Sequence, residues 1–211
     1  MSGKPGSISC PAIRCYHSLV DRRWIYGGLL LAGGIGVARL VTAHPKVRVD
    51  TRLLLIGDSL AQGLSPHLKE LSTEEGVPYL GAGVSGTRID QWIHSQWLDS
   101  ALRDFDPTLV LVSLGTNDAY SNLEPHQIVE YTKALLERLG DEVEVVWVGV
   151  PALPPTYGGR SPKVELLEAI EQEAPYYFES HDLEIPRGPD GLHPTAHGYA
   201  GWAGSIWDWL T

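Results

Sequence analysis

Cysteine is nearly absent from this 211-residue chain: Cys10 and Cys15 are its two copies, and both fall within the first 43 residues. The remaining 168 residues can therefore build neither a disulfide framework nor a thiolate zinc site. Such a body is compatible with an oxidising compartment. Basic residues are also in deficit, with 16 Lys and Arg against 26 Asp and Glu and a net charge of −10. That balance argues against a protein held on a nucleic-acid duplex by a basic face, and no nucleic-acid partner is expected. The deficit is uneven. Residues 1–43 carry Lys4, Arg14, Arg22, Arg23 and Arg39 against Asp21, a net of +4, which leaves −14 on the rest. Repeats and low-complexity tracts are missing. At 43% apolar and 20% charged residues, the chain is too charged for a polytopic membrane protein and too apolar for a disordered one. One globular domain with a short appendage fits that length.

There is one long hydrophobic run. From Trp24 to Ala43 the single charge is Arg39, near the far end, where its head can reach water. Arg22 and Arg23 supply the basic flank of an inserted segment, and Gly28, Ala32 and Gly36 fall four apart. The run reads as a single membrane-anchor helix or as a signal peptide cleaved after Val41-Thr42-Ala43; the arginine pair also resembles a twin-arginine signal. A glycine-rich helix buried in the domain is the alternative. The expected organisation is a basic segment 1–23, the apolar segment 24–43, a linker 44–51 and a folded domain 52–211, placed outside the cytoplasm, anchored or secreted.

The body alternates short apolar runs with helical patterns. Candidate strands are Arg52 to Gly57, Val77 to Gly83, Thr108 to Leu114, Val143 to Val150 and a short one at Tyr176 to Glu179. The runs lack polar alternation and are rich in branched residues, as expected for a sheet covered on both faces. Helices are expected from Ser59 to about Glu75, from Ile89 to Leu102, from Pro125 to Leu139, from Ser161-Pro162 onward, and along the stripe Tyr199, Trp202, Ala203, Ile206 and Leu210. This alternation implies right-handed crossovers and a parallel sheet between helical layers.

Ligands of such sheets bind beyond the carboxyl ends of the strands, and four polar clusters fall there. Gly57-Asp58-Ser59-Leu60 follows the first strand and puts a serine at a helix start, where free N–H groups favour negative charge. Either Asp58 or Ser59 could instead simply cap that helix. Gly81 to Arg88 (GAGVSGTR) follows the second strand, and its glycines allow close backbone approach to a ligand. Gly115-Thr116-Asn117-Asp118 follows the third. Asn117 can donate to an oxyanion or close a local turn. Asp190-Gly191-Leu192-His193-Pro194 precedes the last helix and fits a carboxylate orienting an imidazole. His197 would have to join for a metal site, but Pro194 breaks the helical spacing and no third ligand is evident, so no metal or other cofactor is expected.

Taken in order, Gly-Asp-Ser-Leu, the glycine loop, Gly-Thr-Asn-Asp and Asp-x-x-His resemble the SGNH, or GDSL-type, hydrolase family from about Leu53 to Leu210. The resemblance implies an α/β fold, a three-layer α/β/α sandwich around a five-stranded parallel sheet of flavodoxin-like order. It implies Ser59 as nucleophile, His193 as general base and acid, and Asp190 as the residue that orients the histidine. The Ser59 and Gly86 backbone N–H groups and the Asn117 amide would form the oxyanion hole; Gly86 matches the family pattern better than Gly83.

The implied function is that of a serine esterase working through an acyl-enzyme. The loop from Pro151 to Arg160 should form one lip of the pocket, and Trp92 and Trp97 either stack on a sugar at another lip or pack against the sheet. Trp202, Trp207 and Trp209 belong to the terminal helix. No long apolar lid is visible, so a small acyl group is expected, such as acetyl on a carbohydrate or cell-wall polymer. Alternatives are an acyltransferase on the same site, a lysophospholipase-like lipid acylhydrolase, and a non-catalytic binding module. His17, His44, His67, His94, His126 and His181 are dispersed and are given no role.

Overall fold

The computed structural model describes residues 44–211; the apolar run, both cysteines and the expected boundaries at residues 23 and 43 lie outside the described residues. Five short strands pair in parallel in the order β2-β1-β3-β4-β5. They are β1 (Leu53–Gly57), β2 (Tyr79–Gly83), β3 (Leu109–Ser113), β4 (Glu144–Val148) and β5 (Tyr176–Phe178). β1 lies between β2 and β3, with Leu53 opposite Tyr79 on one side and Leu109 on the other. Every residue of β1 and β3 is buried, which explains why their sequences do not alternate. The expected strands were each slightly too long, because their end residues connect to loops and helices.

Alternate side chains sort to the two faces of the sheet. Leu53, Leu55, Leu109, Leu111, Val146 and Val148 pack against α1 (Ser59–Glu74) and α7 (Ala196–Leu210), meeting Leu64, Leu68, Trp202 and Ile206. On the other face, Leu54, Ile56, Val110, Val112 and Trp147 meet Ile89, Trp92, Ile128, Leu135 and Ile170. Those residues come from α2 (Ile89–Ile93), α5 (Pro125–Leu139) and α6 (Val164–Glu173). The result is the three-layer sandwich expected from the alternation. Among the described residues no helix is long and apolar enough to cross a membrane.

Three segments depart from the sequence reading. The single helix expected from Ile89 to Leu102 is broken: α2 ends at Ile93, Ser95 caps α3 (Gln96–Ser100) by accepting from the Leu98 N–H, and a wide turn at Ala101–Phe105 completes the segment. The Ser95 carbonyl is also taken by the Arg138 guanidinium at 2.7 Å, which fixes the break against α5. The helix expected from Ser161 starts later, at Val164, because the Lys163 N–H donates to the Ala119 carbonyl at 2.8 Å and its backbone is extended. Ala119 itself ends a four-residue helix, α4 (Thr116–Ala119), which had no counterpart in the sequence reading.

Residues just after 43, expected as linker, are tied to the body. His44 stacks on Trp209 with ring centres 4.1 Å apart and bonds to its carbonyl at 2.8 Å. The Val47 N–H donates to the Leu210 carbonyl at 2.7 Å. These contacts satisfy carbonyls that the end of α7 would otherwise leave bare.

Candidate active site

The site is built where β1, β2 and β3 end. Asp58 stands between β1 and α1 and is fully buried. Its Oδ1 accepts from the Leu60 N–H at 2.9 Å, which starts α1, and its Oδ2 accepts from Asn117 Nδ2 at 3.1 Å. Burial pushes its pKa up to about 6, against the pull of the Leu60 N–H toward ionisation. Ser59 follows as the first residue of α1, where the free N–H groups and the helix dipole leave a positive potential. The cap and the serine were alternatives in the sequence; the fold uses Asp58 for the one and leaves the Ser59 hydroxyl for the other.

That hydroxyl lies 2.8 Å from His193 Nε2. His193 Nδ1 lies 2.5 Å from Asp190 Oδ2, and Asp190 Oδ1 accepts from the backbone N–H groups of Leu192 (3.1 Å) and His193 (3.0 Å). The bond from the imidazole, with the two backbone donors behind it, holds the Asp190 carboxyl below the usual carboxylate range. The three-residue spacing is thus closed by a tight loop. The Gly188 N–H donates to the His193 carbonyl at 2.7 Å and the Thr195 N–H to the Pro186 carbonyl at 2.9 Å. Arg187 braces the same loop, donating to the carbonyls of Leu192 (2.5 Å) and Ala152 (3.0 Å). Sequence reasoning missed Arg187, although it is the one Lys or Arg after Lys163.

The second loop brings its glycines to two different tasks. Gly83 faces the first turn of α1 so closely that a Cβ there would lie 2.1 Å from the Gln62 nitrogen. Gly86 has φ of +79° and open space around it, so its backbone is free to meet a ligand. The loop is held to β1 by the Val84 N–H, which donates to the Gly57 carbonyl at 2.9 Å.

Asn117 comes from α4 and joins the two loops. Its Nδ2 donates to Asp58 and, at 2.9 Å, to the Thr87 carbonyl. Next to it Asp118 is fully buried, with Oδ1 accepting from the Ile89 N–H at 3.3 Å and Oδ2 without a hydrogen-bond partner. Burial raises its pKa to about 7; the Ile89 N–H and Arg88 pull it down, and the neighbouring Asp58 and Asp90 charges add to the rise. The sequence reading gave Asp118 no role beyond its place in the motif.

The loop from Pro151 to Arg160 does lie beside the histidine. The Tyr157 ring sits edge-on to His193 at 6.5 Å, and the Tyr120 hydroxyl donates to the Pro154 carbonyl at 2.8 Å. The two tryptophans of the other lip divide: Trp92 is buried, with its indole N–H donating to Thr87 Oγ1 at 3.1 Å, while Trp97 stays 39% exposed. His197 is on α7, and among the described residues no group of three or more His, Cys, Asp or Glu could hold a metal ion.

A hydroxyl, an imidazole and a carboxylate in hydrogen-bond sequence at a helix N-terminus can draw a proton from the hydroxyl and stabilise the anion that its attack creates. Comparison with known proteins agrees in kind. The profile of the GDSL-like lipase/acylhydrolase family matches residues 55–200. Esterase TesA of Pseudomonas aeruginosa is 28% identical over 185 residues, which cover 79% of this chain and 89% of that protein. An arylesterase of Vibrio mimicus is 24% identical over 165 residues, covering 70% and 82%. In fold, the chain resembles the psychrotrophic esterase EstA of a Pseudoalteromonas species, solved in a form inhibited by monoethylphosphonate. The TM-score is 0.61 at 20% identity, over 75% of this chain and 96% of the other. With the profile spanning most of the sheet and all four loops, the chain belongs to the GDSL-like lipase/acylhydrolase family and is a hydrolase of carboxylic esters.

Proposed function

We propose that Ser59 is the nucleophile of a serine esterase, with His193 as its general base and acid and Asp190 as the residue that orients the imidazole. The observation that carries this reading is the 2.8 Å approach of Ser59 Oγ to His193 Nε2, backed by the Asp190 contact on the other ring nitrogen. Ser59 Oγ attacks the ester carbonyl as its proton passes to Nε2, and the imidazolium is stabilised by Asp190. The oxyanion is met by the N–H groups of Ser59 and Gly86, and by Asn117 Nδ2 when its bond to Asp58 is exchanged for the new charge. His193 then protonates the leaving alkoxide. Water attacks the acyl-enzyme in a second, mirrored step and frees the acid.

Acetyl esters are among the smallest substrates that this chemistry serves. Of the two tryptophans expected to stack on a sugar, Trp92 is buried and Trp97 keeps an exposed ring face, while Tyr157 beside His193 is exposed as well. Catalysis on the outer side of a membrane fits the apolar segment 24–43, which lies upstream of the described residues.

A serine-directed phosphonate tests the assignment. The expected result is a single adduct, mapped by mass to Ser59, with parallel loss of esterase activity. An adduct on another residue, or full activity in the Ser59→Ala variant, overturns it.

A further inference from the structure

A groove of about 440 Å³ opens directly beside the Gly86 loop, lined by Ala82, Val84, Thr87, Gln91, Trp92 and Trp97, with Ser95 at its floor. That volume is in the range of small-molecule sites. β2 is an edge strand, and the groove lies on the sheet face that carries α2, where Ala82 meets Trp92. Leu80, Ala82 and Val84 are two residues apart, so they line one face of β2 and its continuation. Trp97 borders both this groove and a second depression of about 300 Å³ that includes Leu80 and Phe105. Together they make a track along β2 from Val84, beside the oxyanion loop, to Leu80, with Ser100 and Asp104 as polar members of the second depression. From Val84 to Leu80 the track runs about 13 Å, enough for an extended chain of roughly eight carbons.

Three side-chain oxygens of the groove already hold bonds within the protein. Thr87 Oγ1 donates to the Val84 carbonyl at 2.7 Å and accepts from Trp92 Nε1. Gln91 Oε1 accepts from the Arg88 N–H at 2.9 Å, and Ser95 Oγ from the Leu98 N–H at 3.3 Å. A sugar, which needs partners for its hydroxyls, finds few there; a hydrocarbon chain needs none. Val84 is 50% exposed and Trp97 39%, an apolar surface that a substrate chain would cover.

The direction of the reaction tells which half of the ester belongs in this track. His193 protonates the leaving oxygen, so the alcohol lies on its side, where Tyr157 and the loop after β4 stand. The β2 edge is on the opposite side of Ser59, because β1 sits between β2 and the strands β3, β4 and β5. We infer that the β2-edge groove is the acyl subsite and that it selects straight-chain fatty acyl esters of medium length over acetyl esters. This rests on the Ser59 esterase reading and replaces the small acyl group expected from the absence of a lid.

The test is a series of p-nitrophenyl esters from acetate to decanoate, with wild type, Trp97→Ala and Val84→Asp, each variant first shown by circular dichroism to be folded because Trp97 packs edge-on against Trp92. Each methylene taken from water into the groove is worth up to about fourfold in kcat/KM, so octanoate should exceed acetate by at least about tenfold in the wild type. Both variants should reduce the octanoate-to-acetate ratio by about fivefold or more, through KM. A flat or falling wild-type profile, with acetate turned over and Ser59 labelled by phosphonate, overturns the groove assignment alone. A ratio unchanged in both variants overturns it too. Loss of all turnover and of labelling at Ser59 in the wild type would instead strike the esterase reading, and the groove with it.

Discussion

Asn117 links the Asp58 carboxylate to the Thr87 carbonyl through one nitrogen, at 3.1 and 2.9 Å. Those two acceptors belong to the loops that carry Ser59 and Gly86. The amide therefore ties the serine loop to the glycine loop, and in the proposed mechanism it reaches the oxyanion by giving up its bond to Asp58. Asn117→Ala should lower kcat by about 10²–10³-fold with a smaller change in KM, measured on a short activated ester. Asn117→Asp should not restore it, because a carboxylate would face Asp58 and supplies no N–H.

Asp190 accepts three bonds in the histidine loop, one from the His193 imidazole and two from the backbone N–H groups of Leu192 and His193. Asp190→Asn retains an acceptor for the backbone but offers the imidazole the wrong partner for its Nδ1 proton. A fall in kcat of about 10³–10⁴-fold is expected, with the circular-dichroism spectrum unchanged. Since the folded carboxyl titrates below its ordinary value, the stability it lends is present above about pH 4 and is lost as pH falls further.

Asp118 titrates in the opposite sense. Its folded pKa of about 7 lies above the ordinary 3.8, so the folded state binds the proton more tightly than the unfolded chain does. The resulting stabilisation is complete below pH 3.8 and disappears as pH rises through about 7. Wild-type stability, measured by urea unfolding between pH 5 and 8, should decline with pH, and Asp118→Asn should flatten the decline. An equal slope in the two proteins would show that Asp118 does not change its ionisation in this window.

Arg187 acts on the histidine loop through its bonds to the Leu192 and Ala152 carbonyls and through its charge near Asp190. Arg187→Met keeps the bulk of the stem and removes both donors. Turnover should fall about 10- to 100-fold through looser placement of the imidazole, with KM little affected. Phosphonate labelling of Ser59 should slow in proportion.

Gly83→Ala would place a methyl group 2.1 Å from the Gln62 nitrogen and 2.7 Å from the Asp58 carbonyl oxygen, both backbone atoms of the serine-bearing turn. The expected cost is on the order of 2–4 kcal/mol, read from denaturant unfolding. Gly86 has no neighbour within 4 Å but a φ of +79°, so Gly86→Ala should cost about 1 kcal/mol from backbone strain.

The layered fold was legible because the two buried central strands have no polar alternation and the helices carry one apolar face each. Ser59, Asp190 and His193 were legible as types in an order, through the family pattern; no local signal gives their separations across 134 residues of chain. The break at Ser95 was not, because it depends on Arg138, 43 residues away, reaching its carbonyl. Asp118 looked like a motif neighbour, since its partner, the Ile89 N–H at the start of α2, is 29 residues away and reaches it only in the fold. Arg187 has an unremarkable sequence context; its role follows from the loop after β4 passing alongside.

The contacts of His44 and Val47 with the end of α7 fix where the polypeptide enters the folded body. α7 begins next to the histidine loop and ends at Leu210, about 22 Å along its axis. Residue 44 therefore stands about one helix length from the loop that carries His193, at the opposite end of α7.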